Sequence, residues 1–114
     1  MLLGRIIGTL WATRKDEKLE GMKLQVVQAV DLEFKPLSNF VVAVDSVQAG
    51  LGEVVLVAQG SSARQTHLTK DRPVDAVIMA VVDNLEVQSI EDLEAAYEER
   101  RRPLAEALEN RPEV

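Results

Sequence analysis

The chain has 114 residues, no cysteine and a formal net charge of −6 at pH 7. This length supports one domain with a single core, and a hydrophobic content of 46% excludes a disordered chain. The lack of cysteine excludes disulfides and thiolate metal sites, and it fits a reducing cytosol. The longest apolar run, Ala76 to Val82, is far shorter than the roughly 18 residues of a membrane helix. We therefore expect no membrane partner.

The negative charge is concentrated in the last part of the chain. Residues 1–83 carry 10 acids and 9 bases, a net charge of −1, whereas residues 84–114 carry 9 acids and 4 bases, a net charge of −5. A nucleic-acid-binding protein is expected to present a basic stripe, because phosphate contacts dominate its affinity. The charge pattern therefore argues against a nucleic-acid partner.

Short apolar segments separated by Gly, Pro or charged loops predict five strands, at residues 2–12, 23–30, 40–44, 53–58 and 74–82. In the first of these, every even position is apolar or glycine, so we expect the even face to point into the core. Gly4 and Gly8 predict bends or a close backbone approach, as in a small closed barrel. The sequence thus predicts a mainly-β chain with a barrel over residues 1–88.

The fifth predicted strand is apolar on both faces. One face holds alternate residues from Val74 to Val82, and the other holds Val77, Met79 and Val81. A strand with two apolar faces has to bury both. The second face is covered either by a helix of the same chain or by a neighbouring subunit.

Residues 89–114 are predicted to form an acidic amphipathic helical tail. Ser89-Ile-Glu-Asp92 resembles a capping box, and an apolar stripe follows at Ile90, Leu93 and Tyr97. We expect Pro103 to end this helix near Arg102 or to open a second short helix. Two roles are open for this apolar stripe: it packs on the barrel of its own chain, or it docks onto a partner.

No residue pattern indicates catalysis, a cofactor or a metal. His67 is the only histidine, and Ser61 and Ser62 lack the Gly-x-Ser-x-Gly pattern of a nucleophile elbow. Gly50-Leu-Gly52 lacks the pattern of a phosphate loop. Nothing in the spacing pairs the four carboxylates predicted at strand ends, which are Asp45, Glu53, Asp75 and Asp83. The sequence therefore predicts no enzyme.

Several motifs of the chain occur in the same order as in a known protein family. They include Leu3-Gly-Arg-Ile-Ile-Gly-Thr9, Ala49-Gly-Leu-Gly-Glu53, Gly60-Ser-Ser-Ala-Arg64 and Pro73-Val-Asp-Ala76. On these motifs residues 2–83 resemble the EutN/CcmL family, the pentameric vertex proteins of bacterial microcompartment shells. Gln48 stands where the family often has glycine, and the tail from Ser89 is longer and more acidic than in many members.

The resemblance implies a fold, an assembly and a location. The fold is a five-stranded barrel like those that bind oligonucleotides and oligosaccharides. Five copies form a homopentamer that caps the vertices of a carboxysome-like or metabolosome shell in the cytoplasm, next to hexameric shell proteins. A ring of this kind has a heterologous head-to-tail interface. The candidate contact residues are Gly50, Gly52, Glu53, Gly60, Ser61, Ser62, Arg64, Val77, Met79 and Val81.

Two further hypotheses come from other classes of function. In the first hypothesis, the barrel is a module that binds single-stranded nucleic acid. Such a module needs stacking aromatic residues and a positive groove, so the presence of only four aromatic residues and a net charge of −6 count against it. In the other, which is compatible with a vertex protein, the 89–114 tail recruits encapsulated cargo.

Overall fold

A computed structural model describes residues 1–109, which form five strands and one long helix. The strands are β1 (Leu2–Leu10), β2 (Leu24–Val30), β3 (Pro36–Asp45), β4 (Val54–Gln59) and β5 (Ala76–Val81). Helix α1 spans Ile90–Glu109, and short 3-10 helices occupy Glu17–Leu19 and Gly60–Arg64. The end of the predicted tail, residues 110–114, lies outside the described residues.

The strands close into a barrel in the order β1-β2-β3-β5-β4, and β4 pairs back to β1. All neighbouring strands are antiparallel except β3 and β5, which run parallel and pair only at Val44 with Val77 and at Asp45 with Ile78. The predicted closed five-stranded β-barrel with a C-terminal helix is confirmed.

Strand β3 is the one whose bounds differ most from the sequence prediction. It begins at Pro36 and not at Phe40. Proline has no N–H for a sheet, but it is tolerated as the first residue of a strand. The additional residues 36–39 extend the start of β3, whereas its pairing with β5 is confined to Val44 and Asp45 at its end.

The barrel interior is filled mainly by alanine and β-branched side chains: Ile6, Val27, Ala43, Ala49, Val55, Val57, Ala76 and Ile78. Such small side chains suit a barrel of only five strands, whose interior is narrow. At Gly4 a Cβ atom would lie 2.4 Å from Val27 Cγ1 and 2.8 Å from the Gln28 carbonyl oxygen. The close approach predicted at Gly4 is therefore present. At Gly8 a Cβ would meet only ordinary contacts, the nearest at 3.9 Å.

The even positions of β1 do not all face the core, contrary to the sequence prediction. The pairing with β2 shifts between Ile6 and Gly8, so the alternation of inward and outward side chains changes there. Gly4 and Ile6 are buried, but beyond the shift Thr9 points inward and donates to Gln25 Oε1 at 2.8 Å. Leu10 is consequently exposed.

The two predicted faces of β5 are also rearranged by a register shift. Val57 pairs with Ile78 while Leu56 pairs with Ala80, which leaves Met79 as an extra residue on β5. Val81 consequently packs against the same core cluster as Ile78. The prediction that Val77, Met79 and Val81 share one face is wrong.

Val77 is fully buried, and segments of its own chain cover it. It lies in a second core cluster with Val44, Ala58, Ala63 and Val74, against which Leu19, Met22 and Leu24 pack. The cover comes from the β1–β2 loop and the Gly60–Arg64 helix. Neither predicted cover, the tail helix or a neighbouring subunit, is needed for Val77.

One buried polar group ties the loop after β3 to the barrel. Gln25 is buried, and its amide nitrogen donates to Asp45 Oδ2 at 3.2 Å and to the Ala49 carbonyl at 3.1 Å. Asp45 Oδ1 accepts from the N–H groups of Val47 and Ala49. Since buried polar groups are costly when unpaired, this network fixes the loop that leads to β4.

Helix α1 starts where the sequence predicts but does not stop at Pro103. Ser89 Oγ accepts from the Asp92 N–H at 3.0 Å, as in an N-cap. The helix then continues through Pro103 to Glu109, so the predicted break is wrong. Proline removes one backbone hydrogen bond, while its fixed φ is compatible with a helix. No helix among residues 1–109 is long and apolar enough to cross a membrane.

Candidate assembly surfaces

The predicted contact residues Gly50, Gly52 and Glu53 form a tight turn before β4. Glu53 Oε1 accepts from the Gly50 N–H at 2.6 Å, and the Gly52 N–H donates to the Ile6 carbonyl at 2.8 Å. Gly52 has φ 84°, a left-handed conformation that favours glycine. Leu51 projects from the tip and is exposed. These three residues thus shape a turn within their own chain that presents Leu51 at the surface.

Gln48 also has left-handed backbone, with φ 58°. This conformation explains why a glycine suits this position in the family that the chain resembles. The next residue, Ala49, is anchored to the barrel through both its N–H and its carbonyl.

The segment Gly60–Arg64 is a short 3-10 helix at the other end of β4. The Gly60 N–H donates to the Asp75 carbonyl at 2.7 Å, and Ala63 is buried in the second core cluster. Ser61 and Ser62 are exposed, and among residues 1–109 neither hydroxyl bonds to His67. The segment is therefore attached to the barrel by the hydrogen bond of Gly60 and by the packing of Ala63.

Arg64 lines an open cleft of about 360 Å³ with Lys18, Asp71, Arg72 and Pro73. Arg72 is anchored across the cleft, since its Nη1 donates to the Lys18 carbonyl at 2.7 Å. Within residues 1–109 the Arg64 guanidinium forms no ion pair. The cleft therefore presents three cationic side chains and one carboxylate at the surface.

The two predicted small-residue segments do not come together on one chain. Glu53 and Gly60 flank the two ends of β4, a strand of six residues, so they lie about 20 Å apart. Met79, of the predicted residues on β5, is 40% exposed, while Val77 is buried and Val81 is partly buried against the core. If the turn at Gly50–Glu53, the segment Gly60–Arg64 and Met79 all contact neighbouring subunits, they do so from separate regions of the barrel.

Sequence reasoning missed a free strand edge. β3 pairs with β2 at Pro36 and again from Phe40 onward, while residues 37–39 lie in a register shift. On its other side, residues 37–42 pair with no strand among the described residues. We call this segment the β3 edge. Its side chains Leu37, Phe40 and Val42 are exposed, Phe40 to 62%. An edge with exposed apolar side chains is a template for pairing with another chain. The signal in the sequence was Pro36, which marks a strand edge.

The residues weighed for chemistry are dispersed. His67 is exposed in the loop after Arg64, and Asp45 and Glu53 accept hydrogen bonds from the backbone of their own loops. Within residues 1–109 no three His, Asp or Glu side chains cluster in a way that could hold a metal ion. The carboxylates of Asp45 and Glu53 therefore stabilise the conformation of their own loops.

The architecture places this chain in a class of small closed β-barrels, with five strands, a single parallel closure between β3 and β5, and a loop-covered second core. Comparisons with known proteins identify the class more closely. The sequence pattern described as "Ethanolamine utilisation protein EutN/carboxysome" matches residues 1–83. The chain belongs to this EutN/CcmL family.

Two relatives show what the family includes. The carboxysome shell vertex protein CcmL of Synechocystis sp. is 44% identical over 89 residues, which cover 78% of this chain and 89% of the relative. The bacterial microcompartment shell vertex protein GrpN of Rhodospirillum rubrum is 43% identical over 75% of this chain and 97% of the relative. Both names describe shell proteins and so favour the shell interpretation over the nucleic-acid module.

Solved structures agree with the sequence comparisons. Gloeobacter violaceus CcmL superposes with a TM-score of 0.74 at 40% identity, covering 77% of this chain and 91% of that chain. The structure described as the GrpN pentameric microcompartment shell protein from Rhodospirillum rubrum has a TM-score of 0.71 at 43% identity, covering 77% of this chain and all of that one. The family pattern ends at residue 83, before α1 begins.

Proposed function

We propose that five copies of this chain form a ring that occupies the vertices of a bacterial microcompartment shell, and that the chain carries out no chemistry of its own. The observation that carries the proposal is the match of residues 1–83 to the EutN/CcmL family, together with 43% identity to a relative described as pentameric. A flat sheet of hexamers closes into a polyhedron only where five-fold units introduce curvature.

A cyclic ring requires two different surfaces on each subunit, because its interfaces are head-to-tail. The β3 edge offers a strand edge that pairs with no other strand among residues 1–109, and it carries exposed apolar side chains. The cleft at Arg64 offers cationic groups. We propose that Gly60, Ser61 and Ser62 approach the adjoining subunit closely, and that Arg64 binds a carboxylate there through its planar guanidinium. Met79 is the part of β5 that is exposed for such a contact.

The Arg64 pairing is tested by native mass spectrometry of full-length variants. Arg64→Ala should reduce the population of pentamers at low protein concentration, because removal of one partner of an interfacial ion pair costs about 2 kcal/mol or more. Lys70→Ala, a nearby exposed charge, is the matched control and should leave the pentamer unchanged. An Arg64→Ala protein as pentameric as the wild type at every concentration would remove this role.

The flanks of the ring are proposed to meet hexameric shell proteins edge-on. The exposed turn tip at Leu51 is a candidate for this contact, because Gly50, Gly52 and Glu53 hold it away from the barrel. Co-expression of the chain with hexameric shell proteins, followed by electron microscopy, tests the vertex role. We expect closed polyhedral shells with the chain and open or elongated shells without it. Closed shells that form equally well without it, and that exclude it when it is present, would contradict the proposal.

The helical tail is a separate part of the proposal. Recruitment of cargo by residues 89–114 requires that the apolar stripe of α1 remains free inside the shell, so it is an alternative to burial of this stripe against another copy of the chain. Truncation after Gln88 tests this, because it leaves the whole barrel in place. Loss of cargo from otherwise closed shells would support recruitment, whereas unchanged cargo loading would exclude it.

A further inference from the structure

Among residues 1–109 no part of the barrel covers the apolar stripe of α1, and only Arg101 of the same helix lies over the Tyr97 ring, 5.4 Å from its centroid. Ile90, Leu93 and Tyr97 recur at helical spacing and are between 53% and 73% exposed. The molecule measures 81 × 29 × 21 Å, so the helix extends away from the barrel along the longest axis. A small single domain of this length would have a radius of gyration near 13 Å, whereas this chain has 22.0 Å. The interpretation that the tail packs on its own barrel is wrong for residues 90–109.

The barrel carries an apolar groove that is equally uncovered. Leu10, Trp11, Met22 and Leu24 line it, with Thr9, Ala12 and Gly21 between them, and its volume is about 350 Å³. Trp11 is 86% exposed. We call this feature the Trp11 groove. A large aromatic side chain beside an open apolar groove is typical of a binding site for a partner.

The charges around the two surfaces are complementary. Lys15 and Lys23 belong to the lining of the Trp11 groove. Beside the stripe of α1, Glu91, Glu94 and Glu98 follow one another at i, i+3 and i+7, so they line one flank of the helix. Arg101 shares this flank and pairs with Glu98 at 3.7 Å, which leaves Glu91 and Glu94 as the carboxylates available to the lysines. An amphipathic helix that enters an apolar groove buries three anchors at this spacing. Its acidic flank would then face the lysines.

We propose that α1 of one copy docks into the Trp11 groove of a second copy. The partner is this chain itself, because the charges match and because α1 extends away from its own barrel. Such a contact is heterologous and, in the proposed ring, links neighbouring subunits. The proposal goes beyond ring formation, since the family pattern ends at residue 83 and does not include α1.

Trp11 is the only tryptophan of the chain and reports directly on the groove. Tryptophan emission and acrylamide quenching are measured on the full-length wild type, on Leu93→Asp and on Ala95→Asp. Ala95 lies on the opposite face of α1 and receives the same added charge. We expect blue-shifted, protected Trp11 in the wild type and in Ala95→Asp, and red-shifted, readily quenched Trp11 in Leu93→Asp. Identical Trp11 spectra for all three proteins would overturn the proposal.

Cross-linking identifies the second copy, because the chain has no native cysteine. Two differently tagged full-length copies are co-expressed, one with Lys15→Cys and the other with Glu94→Cys, and treated with a short bis-maleimide. A cross-linked pair containing both tags supports docking between copies. The matched control replaces Glu94→Cys with Glu99→Cys, on the far side of the helix. Equal yields from both pairings would overturn the proposal.

The test separates this inference from the proposed function. Native mass spectrometry of the same samples reports the ring, and we expect five copies for the wild type and for Leu93→Asp. A pentameric wild type with exposed, unprotected Trp11 would overturn only the docking of α1. A monomeric wild type would count against the ring itself.

Discussion

The barrel and helix α1 obtain their stability in different ways. In the barrel, Ile6, Val55 and Ile78 are buried by one another, and the buried Gln25 finds its partners within the same chain. In α1, every large apolar side chain is exposed. The family pattern covers the barrel and stops before the helix. The barrel thus has its own buried core in a fold shared with relatives, while α1 is an extension whose apolar stripe we propose is covered by a second copy.

The largest change in stability is expected from substitution of a buried residue of β5, in contrast to substitution of an exposed residue on the same strand. Val77→Asp places a carboxylate in the second core cluster and should destabilise the barrel by about 4 kcal/mol or more, because the charge has no partner there. Since small domains are stable by about 5–15 kcal/mol, this loss removes a large part of the free energy of unfolding, and the urea midpoint should fall well below that of the wild type. Circular dichroism during urea titration measures this at fixed protein concentration.

Met79→Asp is the matched control two residues away. Met79 is the extra residue at the register shift and is 40% exposed, so the barrel of the variant should fold even if the ring contact proposed for this side chain is weakened. Equal loss of stability in the two variants would contradict the placement of Val77 inside the monomer and of Met79 on its surface.

A smaller effect is expected from the glycines of β1. Gly4→Ala forces a Cβ within 2.8 Å of the Gln28 carbonyl oxygen, a backbone atom that cannot move aside easily. We expect a loss of about 1–3 kcal/mol, as for other overpacked cores. Gly8→Ala meets nothing closer than 3.9 Å and should change stability by less than about 0.5 kcal/mol. Urea midpoints of the two variants, compared with the wild type, check the difference.

The smallest expected effect lies in α1 and should leave the barrel untouched. Ser89→Ala removes the hydroxyl that caps the Asp92 N–H, which should cost the helix about 1 kcal/mol. Amide hydrogen exchange should accelerate in the first turn of α1, while protected amides of β1 and β2 keep their rates. Faster exchange throughout the barrel would show that the two regions are energetically coupled.

Much of the barrel could be predicted from the sequence, because apolar runs and Gly or Pro punctuation are local signals. The register shifts at Ile7 and Met79 could not, since they depend on the partner strand. For the same reason the cover of Val77 was missed: Leu19, Met22 and Ala63 are distant in sequence and meet only in the fold. The sequence also predicted a helix end near Pro103, whereas α1 continues through this residue to Glu109.

The candidate contact residues were predicted less completely than the fold. Residue type indicated Gly50, Gly52 and Gly60 as turn positions, and the structure gives each a backbone hydrogen bond within its own chain. Pro36 was a signal for a strand edge, but the length of the β3 edge could not be predicted, because it depends on how far β5 extends along β3. The Trp11 groove likewise combines residues of β1, its following loop and β2.

The mass of the full-length protein in solution tests the central claim most directly. Size-exclusion chromatography with light scattering, supported by native mass spectrometry, should give about five times the 12.6 kDa of one chain. The value should hold across dilution, as expected for a closed ring. A monomer, or a dimer that dissociates on dilution, would contradict the account of this barrel as a vertex protein.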